Sequence, residues 1–281
     1  MATMATQEAR KAYRTDLTDQ QWQWIEPYLP PQQAGGRDRE VDLREVINAI
    51  LYRTRTGCAW ELLPHDLPAK STVYEYYRAW QRNGTWHTIH EALRGRVRQQ
   101  VGKQADATAG MLDSQSVKTT ETRGERGYDA GKKVQGRKRH LLVDTLGLMI
   151  TVVVTAASVQ DRDGAKLVFE STDEPRLQKV WADGGYRGEL VEWTAAQYPW
   201  ELEIVPRPPD QKGFAVLPRR WVVERTFGWL NRYRLLSKEY EATIESSTAD
   251  IHIALSHLML RRLTRPPKRV YENEHLLAHC A

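Results

Sequence analysis

Apolar residues recur at helical spacing through the first hundred positions and then shift to short runs that end at acids or glycines. LTDQQWQWIEPYLP begins a first helix, with Thr18 as N-cap and Pro30-Pro31 as the stop. Asp42 caps a second helix, whose face is Leu43, Val46, Ile47, Ile50 and Leu51 and whose end lies near Gly57. Ser71 caps a third, STVYEYYRAWQRNG. A fourth runs from Trp86 to about Gln100 and ends in Arg94, Arg96 and Arg98. Residues 101–108 are polar and join this helical part to the rest.

Beyond the join, Ala109–Leu112 predicts a strand that leads into Asp113, and Thr119–Gly131 predicts a loop. Arg139–Asp144 and Leu148–Ala156 flank Thr145-Leu146-Gly147 as a hairpin. A helix over Asp161–Glu170 precedes a fourth strand, Lys179–Ala182, which ends at Asp183. A helix over Glu189–Gln197 and a fifth strand, Leu202–Val205, follow. Pro218–Tyr240 has only Gly228 to interrupt it and predicts about six helical turns. Ser246–Leu263 is a last amphipathic helix. The chain thus divides into a disordered lead-in (1–16), a small all-α domain (17–105), an α/β domain with a mixed five-stranded sheet flanked by helices (106–265) and a basic tail (266–281).

Charge sharpens the picture. The 281 residues carry a net +5, unevenly spread. Val205–Lys238 holds eight Lys/Arg against two acids, and Arg123–Arg139 holds seven against two. Such clusters fit a polyanionic partner or a solvated surface. Cys58 and Cys280 are far apart, which argues against a disulfide framework or a zinc site and fits a reducing cytoplasm. Neither a leader nor a membrane-length apolar window is expected.

Acids stand at the ends of the first and fourth strands, Asp113 and Asp183, and inside the long helix, Glu224. With those strands adjacent, the two aspartates meet at one sheet edge, and a helix across that edge brings the glutamate. Three hard oxygen ligands suit Mg²⁺ or Mn²⁺. Val223, Phe227 and Leu230 form one stripe of the helix, so Glu224 is expected to be half-buried. It is either a metal ligand or the i,i+4 ion-pair partner of Arg220. Asp161 and Asp163 read as helix-cap residues, Trp181 and Trp229 as core, and His140 as a phosphate contact or plain surface. The third helix, through Ser71, Thr72, Tyr74, Glu75 and Arg78, is either the reading helix of a helix-turn-helix or part of a plain bundle.

LDSQSVKT (112–119), VQDRDGA (159–165), ADGGYRG (182–188) and RRWVVERTFGWLNRYRLLSKEYE (219–241) together resemble bacterial insertion-sequence transposases of the DDE type, in the insertion-sequence-five group. LTDQQWQWIEPYLP and GCAWELLP resemble that family's small N-terminal domain, and the likeness covers about residues 17–263. The resemblance implies an RNase H-like catalytic domain in which Asp113, Asp183 and Glu224 hold two Mg²⁺ or Mn²⁺ ions. The implied activity is cleavage at element ends and joining of the 3′-hydroxyls to target DNA. The implied partners are double-stranded DNA (terminal inverted repeats and target) and a second copy of the chain, in the cytoplasm at the nucleoid. Relatives carry Tyr and Lys where this chain has Leu217 and Asn231, which leaves the lysine's phosphate-holding role open among Arg232, Arg234 and Lys238. Further DNA contacts are expected from Lys132, Lys133, Arg137, Lys138, Arg139, Arg220 and Arg78. A nuclease that cuts without joining, or a non-catalytic DNA-binding derivative, are the alternatives.

Overall fold

The computed structural model describes residues 10–32, 40–120, 124–205 and 221–265. Four helices come first: α1 (Asp19–Ile25), α2 (Leu43–Thr56), α3 (Lys70–Arg82) and α4 (Thr85–Gln100). Thr18 caps α1 in a reciprocal pair with Gln21, and Asp42 caps α2, as their sequences predict. Ser71 does not cap α3; that helix begins one residue earlier, and Ala69 at its N-cap offers no side-chain acceptor. The lead-in is not disordered throughout. Arg10 bridges Asp16 and Glu45 at 2.7 Å each, and the Tyr13 hydroxyl donates to Asp66.

The sheet holds β1 (Ala109–Lys118), β2 (Gly127–Asp129), β3 (Val134–Asp144), β4 (Met149–Ala156), β5 (Lys179–Asp183) and β6 (Glu201–Val205). β3 pairs antiparallel with β1 on one side and with β2 and then β4 on the other. β1 and β5 run parallel, as do β5 and β6. Apart from β2, this is the expected five-stranded RNase H-like order, with the first strand central and the fourth beside it. The stretch read as a loop contains β2, and just beyond it β3 starts at Val134 rather than Arg139.

α5 (Asp161–Glu170) and α6 (Glu189–Gln197) cover one face with a core of Leu112, Leu142, Val168, Phe169, Val180 and Leu202. α7 (Trp221–Leu230) and α8 (Ile244–Leu263) cover the other, over Met111, Leu141, Val143 and Val154. α8 also completes the core of the first four helices through Ala249, Ile253, Met259 and Leu260. Burial of this apolar surface is the main stabilising term for both layers.

Within the described residues the long C-terminal helix is shorter than the pattern predicts. It stops at Leu230, and a single 3-10 turn follows at Arg234–Leu236. The break lets Tyr233, Leu235 and Leu236 all be buried, which one straight helical stripe would not allow. Arginines satisfy the carbonyls it releases: Arg55 donates to Arg232 O, and Arg139 donates to Leu236 O at 2.9 Å.

Buried ion pairs tie the helices to the sheet. Arg98 meets Asp144, and Arg94 meets Glu174 at 2.7 Å. Arg53 meets Glu241, and Asp250 at 3.5 Å. Thus two of the three arginines that end α4 face inward, and only Arg96 is exposed.

Candidate active site

β1 alternates its side chains between the two cores. Met111 lies under α7 and α8, Leu112 lies under α5, and Asp113 therefore returns to the α7 face. On the parallel neighbour, Ala109 pairs with Lys179 and Met111 with Trp181. The β1–β5 pairing ends there, and Asp113 and Asp183 each stand two residues beyond it on their own strands. By the same alternation Asp183, two residues after Trp181, faces the side of the sheet that Trp181 and Asp113 face. Both residues are half-buried. Asp113 Oδ1 accepts from Ser114 N at 2.7 Å, and Asp183 Oδ1 accepts from Gly185 N at 2.8 Å, capping the 3-10 turn Gly184–Tyr186.

Glu224 rides on α7, which crosses β1 and β3 on the same face. Val222, Val223, Phe227 and Leu230 are buried beneath it, so the predicted stripe is present. Glu224 itself is exposed rather than half-buried. Its sequence neighbours lock the helix to the β3–β4 turn. Arg225 Nη2 donates to Leu146 O at 2.9 Å, and Thr226 Oγ1 donates to Gly147 O at 2.8 Å. Gly147 adopts a φ of 76°, and a Cβ there would sit 2.9 Å from Thr226 Oγ1, so the turn and the helix are fitted to each other.

Among the described residues, no group of three or more His, Cys, Asp or Glu side chains is placed to hold a metal ion. Asp113 and Asp183 stand on neighbouring parallel strands, each two residues past the last β1–β5 pair, and Glu224 stands on the helix that packs against β1 and β3. Carboxylates on two neighbouring strands would suit Mg²⁺ or Mn²⁺, which take one or two carboxylates and fill the remaining positions with water and substrate phosphate oxygens.

Behind Asp113, on the α5 face, lies a polar network. Ser114 Oγ donates to Asp161 at 2.7 Å and accepts from Lys132 Nζ at 3.1 Å. Lys138 bridges Asp161 at 3.0 Å and Asp129 at 3.3 Å, and Ser116 Oγ donates to Asp129. Burial works to raise the Asp161 carboxyl, but the hydrogen bonds from Ser114 and Lys138 outweigh it and hold the group below its usual range. Asp129 is likewise held at about 2 against burial by Ser116, the Lys132 amide and Lys138. Asp161 is therefore partnered within the fold by Ser114 and Lys138, and it does not cap α5, whose N-cap is Gln160 with no side-chain hydrogen bond.

The expected DNA contacts divide sharply. Arg137 is 1% exposed and donates to the carbonyls of Glu125, Glu241, Ala242 and Thr243. Arg139 is fully buried against Glu239 and Leu236 O, and Lys138 is enclosed by Asp129, Asp161 and Val159 O. These three hold the fold and are turned away from any phosphate. The cause is the early start of β3, which draws the basic run into the sheet. His140 is also buried rather than on the surface; its Nε2 lies 3.1 Å from Thr155 Oγ1, and burial pushes it down to about 4. Lys132, Lys133, Arg232, Arg234 and Lys238 are exposed. Arg78 is half-buried beside Tyr74, and Arg220 lies outside the described residues. α2 and α3 are joined by residues 57–69, much longer than the tight turn of a helix-turn-helix.

Two features were not read from the sequence. Trp221, Arg225 and Trp229 follow one another at i, i+4 and i+8. The Arg225 guanidinium lies 4.4 and 4.7 Å from the two ring centroids, and Arg262 lies 3.9 Å from Trp229. The i,i+4 spacing of W-x₃-R-x₃-W is the signal for this ladder. The second is Tyr186, a phenol buried beside Asp113, Asp161 and Asp183. Its place three residues after an acid-tipped strand gives no sign of that burial.

Comparison with known proteins bears directly on this arrangement. Residues 104–259 match the family described as "Transposase DDE domain", and residues 17–90 match "Putative transposase of IS4/5 family". The chain is 32% identical over 109 residues to the "Insertion element IS402 uncharacterized 16.2 kDa protein" of Burkholderia cepacia, spanning 36% of this chain and 72% of the relative. It is 30% identical over 132 residues to the "Putative transposase for insertion sequence element IS402" of the same organism, spanning 44% of this chain and 60% of the relative. Among solved structures, one from the "Crystal structure of the Mos1 Strand Transfer Complex" aligns over 83% of this chain and 79% of its own, at 13% identity and a TM-score of 0.29. No helix among the described residues is long and apolar enough to cross a membrane. The DDE-domain match takes in more than half of the chain, and with the IS402 relatives it leads to one conclusion: the chain belongs to the insertion-sequence transposases of the DDE type.

Proposed function

We propose that this transposase cleaves the ends of an insertion sequence and joins the freed 3′-hydroxyls to target DNA. The observation that supports the reading is that Asp113 and Asp183 stand on the neighbouring parallel strands β1 and β5 and Glu224 on the helix packed against β1 and β3. Asp113, Asp183 and Glu224 are the residues that hold the ions. Bound divalent ions supply activation of the attacking water or 3′-hydroxyl and stabilisation of the leaving oxygen in an in-line displacement. The chain's own part is to fix two carboxylates on rigid strands, so that the reacting phosphate meets ligands already in place. Exposed Lys132 and Lys133 lie on the β1 side of the site, and Arg232, Arg234 and Lys238 lie beyond the end of α7. We assign them to backbone phosphates, which position DNA without reading its sequence.

The helical part (17–105) serves DNA binding or dimerisation, and two copies act together because pairing two element ends takes two active sites. The protein works in the cytoplasm, at the nucleoid. A strand-transfer assay with Mg²⁺ and a DNA end from the element tests the reading. Glu224→Gln keeps size and hydrogen bonding but removes charge. Joined product from the natural protein, and none from a variant that still binds DNA, supports it. Cut but unjoined product from the natural protein means a nuclease. Equal joining by the variant removes Glu224 from the site.

A further inference from the structure

A cleft of about 700 Å³ opens between the end of α2, the start of α3 and the segment that follows α7. It shares no residue with the site on β1 and β5. Its volume falls within the roughly 300–1,000 Å³ of small-molecule sites. The lining is mostly apolar. It includes Trp60 from the 3-10 turn Trp60–Leu62, Tyr74 from α3, and Leu235 and Tyr240 from the segment after α7. Tyr74 and Tyr240 are 40% and 41% exposed. The walls are held in place. The Arg53 guanidinium lies 4.1 Å from the Trp60 ring centroid and is itself paired with Glu241 and Asp250. The Trp60 ring also meets Tyr74 and Tyr77, with centroids 5.3 and 5.2 Å apart. Gly57 adopts a φ of 73°, and a Cβ there would lie 3.0 Å from Arg234 Cβ, so the end of α2 and the 3-10 turn Arg234–Leu236 fit closely. Charge is divided between the interior and the mouth. Among the described residues, the cations that line the cleft are matched by acids that line it too, Arg53 by Glu241 and Lys70 by Glu61 at 2.9 Å. The stretch that brings Leu235 and Tyr240 to the cleft also carries Arg234 and Lys238, both exposed.

We propose that this cleft receives one unpaired base of the DNA, stacked on its aromatic side chains while Arg234 and Lys238 hold the flanking phosphates. The inference rests on the DNA-binding reading given above. An aromatic interior whose charges cancel, beside exposed cations, matches the two halves of a nucleotide. A base is planar and uncharged, and its π-face stacks on an aromatic ring whatever its identity. A phosphate meets its cations at the mouth, since those inside are already paired with Glu241 and Glu61. A base within a duplex is covered on both faces by its neighbours, so the occupant is one that has left the stack. An apolar peptide would fill the same interior but would leave Arg234 and Lys238 without a counterpart.

The test is DNA binding by the full-length protein without divalent ions, using three duplexes of one sequence. One is fully paired, one carries an extra unpaired 2-aminopurine, and one carries an abasic nucleotide in that place. The natural protein is expected to bind the duplex with the extra base about tenfold or more tightly than the abasic one, with 2-aminopurine emission falling as the base stacks. Tyr74→Ala and Tyr240→Ala are each expected to remove most of that ratio and to leave the emission high. Both side chains are partly exposed, and melting curves establish that the variants fold. If the natural protein binds none of the three duplexes, the DNA-binding reading fails and this inference fails with it. If it binds all three with equal affinity, only the present inference is overturned. A ratio kept by both variants overturns it too, because the base then sits elsewhere. So does an equal loss on all three duplexes, which makes the tyrosines part of a general DNA surface. A changed sedimentation of the variants with the ratio intact assigns the cleft to a second copy of the chain and overturns it as well.

Discussion

The imidazole of His140 occupies the space that a side chain at Gly164 would need: a Cβ there would lie 2.0 Å from His140 Cε1. β3 and α5 approach closely at this point because one of the facing residues is a glycine. Gly164→Ala is expected to cost about 1–3 kcal/mol or more through overpacking, read as a lower urea midpoint. His140→Ala in the same chain removes the obstacle, so the double variant should be more stable than the sum of the two single changes predicts.

The buried pair of Arg98 and Asp144 is expected to be the most sensitive joint between the helices and the sheet. Asp144→Asn keeps the acceptor that caps Leu146 N and Leu148 N at 2.8 and 2.9 Å. It leaves the Arg98 guanidinium buried without its countercharge. Breaking such a pair costs about 3–5 kcal/mol, and denaturant unfolding followed by circular dichroism measures it.

The basic run should behave as two populations. Lys133 stands exposed with a φ of 54° at the tip of the β2–β3 connection. Lys133→Ala is expected to weaken DNA binding alike for all sequences and to lower the salt slope by about 1, with the melting temperature unchanged. Arg139→Met is expected to lower the melting temperature instead, because Glu239 and Leu236 O lose their buried donor. A titration of DNA affinity against salt, paired with melting curves, separates the two.

Acid should destabilise the fold in a defined window. Among the described residues, His90, His140, His252 and His257 are buried. Burial holds each below the ordinary histidine value, with His140 at about 4 and His257 at about 3. The folded state keeps them neutral while the unfolded chain takes up protons near pH 6.5. Between that value and the folded pKa the unfolded state binds more protons, so stability falls as pH falls. The slope is about 1.4 kcal/mol per pH unit for each such group. Asp129, held at about 2, gives up its contribution as pH falls from the ordinary carboxylate value toward 2, below this window, whereas the raised carboxyls of Asp250 and Glu174 act in the opposite sense to the histidines, so the histidine term is read as the difference between the natural protein and a histidine variant. His257→Leu should reduce the stability lost between pH 7 and 5 by about 2 kcal/mol, as measured by urea midpoints at each pH.

Legibility from sequence followed the range of the forces involved. The caps at Thr18 and Asp42, the β3–β4 hairpin and the stripe Val223, Phe227 and Leu230 depend on neighbours a few residues away, and they stand where the pattern puts them. Asp183 ends β5 as its apolar run predicts, whereas β1 continues past Asp113 to Lys118. What the sequence could not show was which side of a strand faces a helix once that strand is lengthened. Arg137, Lys138 and Arg139 look like a solvated run when taken alone. They become interior once Asp129, Asp161 and Glu239, distant in sequence, meet them. The halt of α7 at Leu230 was hidden for the same reason: Arg55 and Arg139 supply its carbonyl partners from elements far away. Tyr186 carries no local mark at all.

α8 gives its apolar residues to two interiors at once, Ile251 and Leu255 to one and Ile253 and Met259 to the other. The N-terminal helices are therefore not a cassette that can be exchanged between relatives at the 101–108 join. A chimera cut there would inherit a foreign lid on its own hydrophobic interior. Viable exchanges would have to move residues 17–100 together with 244–263, two segments separated in sequence by the whole sheet.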